Sequence, residues 1–277
     1  DSGASAIQKT MEWMDIDGGE VVGSDNYFVY NYNGGGFTYS GSVNHCLIHD
    51  YHTTDTAQAV SNASKYSVVH NNIVYDIQGD ENALGIGMGE SESVCCNNTV
   101  YKVHTTESDS SAANKTAWGI HNNLENNIVM SNNIVGAVTS TVANEHYDYY
   151  SAGGTQVRNN NLSEDSTADS YTTSADGITG VDPEDLFVST TDGSEDLHLK
   201  DGAQALRAGE DLGTSVTPPL YSTPALASSA FGTPINIDID GRDRDAEGDD
   251  WDIGADQCDT CSEGSTGSPA FLLFLDS

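Results

Sequence analysis

Apolar and polar positions recur along the first 165 residues in one short phrase. It reads Val43-Asn44-His45-Cys46-Leu47-Ile48, then Val69-His70-Asn71-Asn72-Ile73-Val74, then Cys95-Cys96-Asn97-Asn98-Thr99-Val100. Further copies are read at Leu124-Glu125-Asn126-Asn127-Ile128-Val129 and Val157-Arg158-Asn159-Asn160-Asn161-Leu162. The steps of 26, 26, 29 and 33 residues match one unit of a stacked array, with the scatter that loop insertions produce. One column then holds Cys46, Asn72, Asn98, Asn127 and Asn160. A buried Asn offsets its desolvation only when its amide is bonded, and identical amides about 4.8 Å apart can bond one another. The next columns, Leu47/Ile73/Thr99/Ile128 and Ile48/Val74/Val100/Val129, are mostly β-branched, as strands prefer. The pattern predicts stacked β-strands and excludes a helical repeat.

A second strand column is read at Phe37, Val60, Ile86 and Ile120, ahead of the phrase in each unit. Ile7, Met11 and Met14 fall at helical spacing and predict a short amphipathic helix covering the open edge of the first unit. The chain divides into an N-terminal cap (1–20), β repeats (21–163), a polar low-complexity loop (164–180), a closing segment (181–257) and a tail (258–277). Within the tail, Cys258 and Cys261 precede a Ser/Gly-rich linker and the apolar run Phe271-Leu272-Leu273-Phe274-Leu275.

The closing segment carries Asp182-Pro183, Leu197-His198-Leu199-Lys200-Asp201-Gly202, Ala208-Gly209, Asp238-Ile239-Asp240-Gly241-Arg242 and Asp252-Ile253-Gly254-Ala255-Asp256-Gln257. These motifs resemble the ending of bacterial right-handed parallel β-helix proteins, the pectate-lyase-like surface and secreted group. The resemblance implies an all-β fold, a right-handed parallel β-helix, an extracellular or cell-surface location, and a polysaccharide as one class of partner. One departure is Ala203-Gln204-Ala205-Leu206-Arg207, where that group usually ends the run on an acid.

Charge narrows the partners. With 43 Asp+Glu against 9 Lys+Arg, the net charge of −34 repels nucleic acid and anionic membrane. The longest apolar run, 270–275, is far too short to span a bilayer. Of five cysteines, Cys258 and Cys261 have the spacing of a small disulfide in an exported protein. Cys46 sits in the ladder column as a buried thiol, and the adjacent Cys95 and Cys96 point to opposite faces of a strand.

Three constellations carry candidate chemistry. Three residues on from the ladder lies a column of Asp50, Asp76 and Lys102, with Ser131 read above it, beside His49, Tyr75 and Tyr101. The resemblance suggests cleavage of an acidic polysaccharide by β-elimination, which needs a cation such as Ca²⁺ for the uronate and a base for its proton. Asp50 and Asp76 are the candidate metal ligands, Lys102 the base, and His49, Tyr75 and Tyr101 the sugar-binding wall. The plainer alternative is a solvated face on which Lys102 offsets two acids. Asp243, Asp245 and Glu247 match the first half of a Ca²⁺ loop, but the twelfth position is Gly254, so a structural Ca²⁺ competes with an exposed acidic turn. The run Phe271–Leu275 either docks on its own chain or adds as a strand to a neighbour. The reading favoured is a secreted or cell-surface structural protein that self-associates through its ends, with filaments as one form of the assembly; a Ca²⁺-dependent polysaccharide lyase or carbohydrate-binding protein is the alternative.

Overall fold

The structure is a computed structural model that describes residues 9–12, 14–21, 26–32, 41–63, 67–106, 115–123, 127–142, 145–153, 156–170, 176–213, 234–247, 250–258 and 260–261. The protein is all-β. Its first sheet contains β1 (Lys9–Glu12), β4 (Gly41–Asn44), β7 (Val68–His70), β10 (Val94–Cys96), β13 (Ile128–Ser131) and β16 (Gln156–Asn159). The second contains β2 (Asp15–Val21), β5 (Leu47–Thr53), β8 (Ile73–Gly79), β11 (Thr99–Thr105), β14 (Ile134–Thr139), β17 (Leu162–Ser163) and β18 (Ile178–Thr179). The third contains β3 (Asn26–Tyr32), β6 (Ala57–Ala63), β9 (Ala83–Met88), β12 (Ala117–Asn122) and β15 (His146–Ser151). Pairing in all three is parallel, and through β16 each strand pairs with the strand three further along the chain. No helix among the described residues is long and apolar enough to cross a membrane.

The corner between the first and second sheets explains the recurrent Asn-Asn pair. Its first residue takes a left-handed backbone: φ is 51° at His45, 52° at Asn71, 52° at Asn97, 55° at Asn132 and 48° at Asn160. Among side-chain-bearing residues, Asn accepts that conformation most readily. The second residue turns inward. Asn72 Nδ2 donates to Asn98 Oδ1 at 2.9 Å, Asn98 Nδ2 to Asn133 Oδ1 at 3.0 Å, and Asn133 Nδ2 to Asn161 Oδ1 at 3.0 Å. The amide oxygens of Asn72, Asn98, Asn133 and Asn161 accept, in turn, the backbone N–H of Cys46, Asn72, Asn98 and Asn133. All four asparagines are fully buried, so every one of these bonds replaces water.

The ladder therefore differs from the sequence expectation in two repeats. Asn133 and Asn161 occupy the column, not Asn127 and Asn160. The phrase Asn-Asn-Ile-Val occurs twice in quick succession, at 126–129 and 132–135, and the second copy is in register. Its neighbours shift with it: Lys102 faces Ala137, between the pairs Tyr101/Gly136 and Val103/Val138, whereas Ser131 pairs with Cys96 in the first sheet. In the third sheet Val60, Ile86 and Ile120 do share a column, but its first member is Val29; Phe37 lies outside the described residues.

The expected N-terminal helix is absent from residues 9–12 and 14–21. Met11 belongs to β1, paired in register with β4, and Met14 is a corner residue whose carbonyl accepts from Leu47 N. Three apolar residues at helical spacing do not outweigh a full parallel edge of unpaired backbone groups, which a strand satisfies and a helix cannot. Ile7 lies outside the described residues.

Three apolar clusters hold the array. Ile48, Val74, Val100 and Val135 of the second sheet meet Val60, Ile86, Ile120 and Tyr149 of the third inside the repeats. The other two lie outside them, against the closing segment. Tyr101, Ile134 and Leu162 on the outer face of the second sheet pack with Leu186, Phe187, Leu199 and Ile253, and Val68, Val94 and Cys96 on the first sheet pack with Ile235 and Trp251. At Gly136 the approach is close: a Cβ there would lie 2.6 Å from Pro183 Cγ. The closing segment thus runs along the side of the repeats. It contains the antiparallel pair β19 (Phe187–Ser189) and β20 (Asp196–Leu199) and 3₁₀ turns at Pro183–Asp185 and Arg244–Glu247.

Replacing Asn98 by Asp keeps the shape but removes the amide protons that reach Val69 O, Cys96 O and Asn133 Oδ1. Asn98→Asp should lower unfolding free energy by about 3 kcal/mol or more, measured by urea denaturation at pH 7.

Candidate functional site

The outer corner asparagines bind the closing segment by its backbone. Asn160 Nδ2 donates to Ala208 O, and Asn132 exchanges two bonds with Glu210, each 2.8 Å long. Asn97 Nδ2 donates to Ile235 O, Asn71 Nδ2 to Ile235 O and Ile237 O, and His45 Nε2 lies 2.7 Å from Ile237 O. Residues 208–210 and 235–237 therefore run past successive repeats from the last toward the second.

Acids of the Asp-Ile-Gly-Ala-Asp and Asp-Ile-Asp-Gly-Arg motifs serve the same purpose. Asp252 accepts from the N–H of Arg207 and Cys258, Asp256 from Leu199, and Asp238 from Asp240, Arg242 and Gln257. Burial raises all three carboxyls above their ordinary range, against the pull of these bonds and of nearby cations. Arg244, fully buried, gathers the carbonyls of Asp252, Gly254, Ala255 and Asp256 and sits over Trp251 at 5.7 Å. Burial lowers the guanidinium's pKa, and Asp238, Asp252 and Asp256 counter that fall. These residues are scaffold.

The candidate Ca²⁺ loop is used the same way. Asp243 Oδ1 accepts from Asn236 Nδ2 at 2.7 Å, Asp245 Oδ1 accepts from Trp251 Nε1 at 3.1 Å, and Glu247 ends the 3₁₀ turn. His198, Asp240 and Asp256 lie close enough together to hold a metal, but Arg242 Nη1 stands 3.0 Å from Asp240 and 3.4 Å from Asp256, supplying the positive charge there. Cys258 and Cys261 are joined by a disulfide. Cys46, Cys95 and Cys96 are buried thiols; Cys95 faces the interior, Cys96 faces the closing segment, and burial pushes Cys96 up to about 12.

The strip of Asp50, Asp76 and Lys102 exists on the outer face of the second sheet. Each takes a left-handed backbone, with φ of 52°, 52° and 58°, which interrupts strand pairing and tips the side chain outward. His49 stacks on Tyr75 at 5.0 Å and 7°. Tyr101 is separated from that stack in function, because it packs edge-on against Phe187 of the closing segment. The groove expected from sequence is thus roofed at its Tyr101 end.

Electrostatics decide what Lys102 can do. Its Nζ lies 3.2 Å from Asp76, 3.0 Å from Asp192 and 3.7 Å from Glu195, the last two from the loop between β19 and β20. Burial would lower its pKa, but these carboxylates outweigh burial and raise it. A general base needs the opposite shift. At Asp76 burial would raise the carboxyl, yet Lys102, Asp50 and His52 together hold it below its ordinary value. Asp76 Oδ1 faces Lys102 and Oδ2 faces His52 at 3.3 Å, so a divalent ion there would have to displace an ammonium group. Asp50 is the more open acid, paired with His49 at 2.8 Å. His104, hydrogen-bonded to Gln78 at 3.0 Å, is lowered by burial and completes the strip. The strip pins the closing hairpin through one lysine and leaves an acidic surface around His49, Asp50 and His52. Asp192 and Glu195 could not be placed beside Lys102 from spacing, since they are about 90 residues away. The tail run Phe271–Leu275 lies outside the described residues.

No family model, curated protein or solved structure matches the chain.

The Asp76–Lys102 contact has a definite pH signature. A depressed carboxyl contributes stability that is present above its unfolded value of 3.8 and is lost as pH falls through its lower folded value. Lys102→Met should therefore reduce Tm at pH 7 and have a much smaller effect at pH 2.5, read by thermal melts at both.

Proposed function

We propose that the repeats form a right-handed parallel β-helix and that the protein is an extracellular or cell-surface structural element associating end to end. Right-handed crossover is the near-universal choice for parallel strands joined in this way. The observation that carries the reading is an asymmetry between the two ends. β1, β2 and β3 are the outermost strands of their sheets, each paired on one side only among the described residues. At the opposite end the edge of β15 is occupied by side chains: Asp165 Oδ2 accepts from Asp148 N at 3.1 Å and Thr167 Oγ1 from Tyr149 N at 2.8 Å. Such a plug blocks strand addition there, whereas a parallel edge paired on one side only invites it. A strand donated to the first repeat is a head-to-tail contact, which propagates when its geometry does not close. The apolar run Phe271–Leu275 is the joining strand in this reading. A net charge of −34 and a disulfide at Cys258–Cys261 support an extracellular setting.

A second reading keeps polysaccharide as the partner of the His49/Tyr75 strip, as a binding surface. The raised pKa of Lys102 speaks against lysis.

Deleting residues 263–277 should abolish any concentration-dependent increase in mass, followed by light scattering across a dilution series. An unchanged mass distribution would count against association through the tail. Formation of unsaturated product from alginate or pectate, lost in Lys102→Ala, would favour the lyase instead.

A further inference from the structure

The closing segment buries the outer faces of the first and second sheets, and neither of those clusters includes the outer face of the third. That face carries aromatic rings in two adjacent columns. Register places Leu84, Trp118 and Tyr147 in one column and Gly87, His121 and Tyr150 in the next. Trp118 and His121 stack at 5.1 Å and 13°, His121 lies 5.3 Å from Tyr150, and Tyr147 lies 4.9 Å from Tyr150. All four rings are partly exposed. Beside them the surface steps down at Gly87, where a Cβ would come within 2.9 Å of Leu84 Cδ2. The result is a continuous aromatic patch with an apolar step at its foot.

Two features select the kind of ligand. The strands bearing the rings, Ala117–Asn122 and His146–Ser151, contain no Lys or Arg, and burial lowers His121 to about 4, so its ring is neutral at physiological pH. With a net charge of −34 behind it, the patch repels polyanions and offers nothing to neutralise them. Secondly, Trp118 Nε1 and His121 Nε2 are buried at the patch without a hydrogen-bond partner among the described residues. Such atoms cost free energy until bonded, which favours a ligand that carries hydrogen-bonding groups over a purely apolar one. Exposed His146 and Asn123 give the rim further polar groups.

We propose that this patch is a binding site for a neutral polysaccharide. A hexopyranose has an apolar C–H face that packs on an aromatic ring and equatorial hydroxyls that point to the rim, matching an uncharged, polar-edged patch of mutually tilted rings. The site is separate from the strip around Lys102; Tyr147 and Tyr150 lie on β15, the last strand of its sheet, but on the strand's face and not on the edge that Asp165 and Thr167 occupy, and far from the β1–β3 edge that the assembly reading uses.

Affinity electrophoresis of the full chain in gels containing laminarin, mannan or xylan, with polygalacturonate and alginate as charged controls, tests the proposal. Retardation is expected on at least one neutral polymer and on neither polyanion. Trp118→Ala and Tyr150→Ala should each weaken that binding roughly tenfold with Tm little changed. Trp118→Phe guards against a folding defect and should retain part of the affinity. Deletion of residues 263–277 should leave binding intact, which separates this site from tail-mediated association. Absence of retardation on every neutral polymer, or equal retardation of Trp118→Ala, would overturn the proposal. Retardation on the polyanions alone would overturn it too, as would a Trp118→Ala variant that changes particle mass in place of sugar binding, since the face would then be an interface between copies.

Discussion

Everything in this fold depends on satisfying the amides at one corner. Each repeat turns there between its first and second sheet strands, and the turn leaves a backbone N–H facing the interior, where no strand can reach it. Asn72, Asn98, Asn133 and Asn161 meet that need by accepting the N–H of the preceding repeat and donating to one of its carbonyls, and the first three also donate to the amide oxygen of the following repeat. An unmet buried amide costs about 1–3 kcal/mol, so one amide per repeat is enough to select a register. A slip by one residue would turn the outer Asn inward and expose the apolar face of every strand.

The residue before each ladder amide serves the outside. Because the corner needs a left-handed residue, Asn is favoured there for conformational reasons, and its side chain is then free to bind the closing segment along the repeats. Asp238, Asp252, Asp256 and Arg244 supply the complementary bonds within that segment. An interior column and an exterior column thus share one dipeptide, and the exterior one ties residues 208–210 and 235–237 to successive repeats. The consequence for function is that the side of the first and second sheets is occupied. Among the described residues, what remains for partners is the acidic edge of the strip, the third sheet and the strand ends.

Much of this architecture was legible in the residues. The Asn-Asn pairs and the β-branched positions after them gave parallel strands in the right order for the second, third and fourth repeats. The fifth repeat was misread because Asn126-Asn127-Ile128-Val129 copies the phrase six residues early, and local pattern holds nothing to choose between two copies. That choice is made by long-range pairing, which sets Ile134 opposite Thr99. The same limit applies to the strip. Spacing placed Asp50, Asp76 and Lys102 side by side, yet could not bring Asp192 and Glu195 onto Lys102 and so could not tell a base from an anchored cation. The helix expected at Met11 and Met14 failed because propensity over two turns is weaker than a sheet edge seeking a partner. The aromatic patch depended on aligning β12 with β15, which the misread register obscured.

The central claim is that side-chain amides, acting as backbone acceptors, hold the corners as firmly as the strands hold the sheets. Residue-resolved native-state hydrogen exchange tests it most directly. The backbone amides of Cys46, Asn72, Asn98 and Asn133 should exchange as slowly as those of Ile77 and Val103 in neighbouring strands, by global unfolding. Exchange at those four corners orders of magnitude faster than at Ile77 and Val103 would contradict the account.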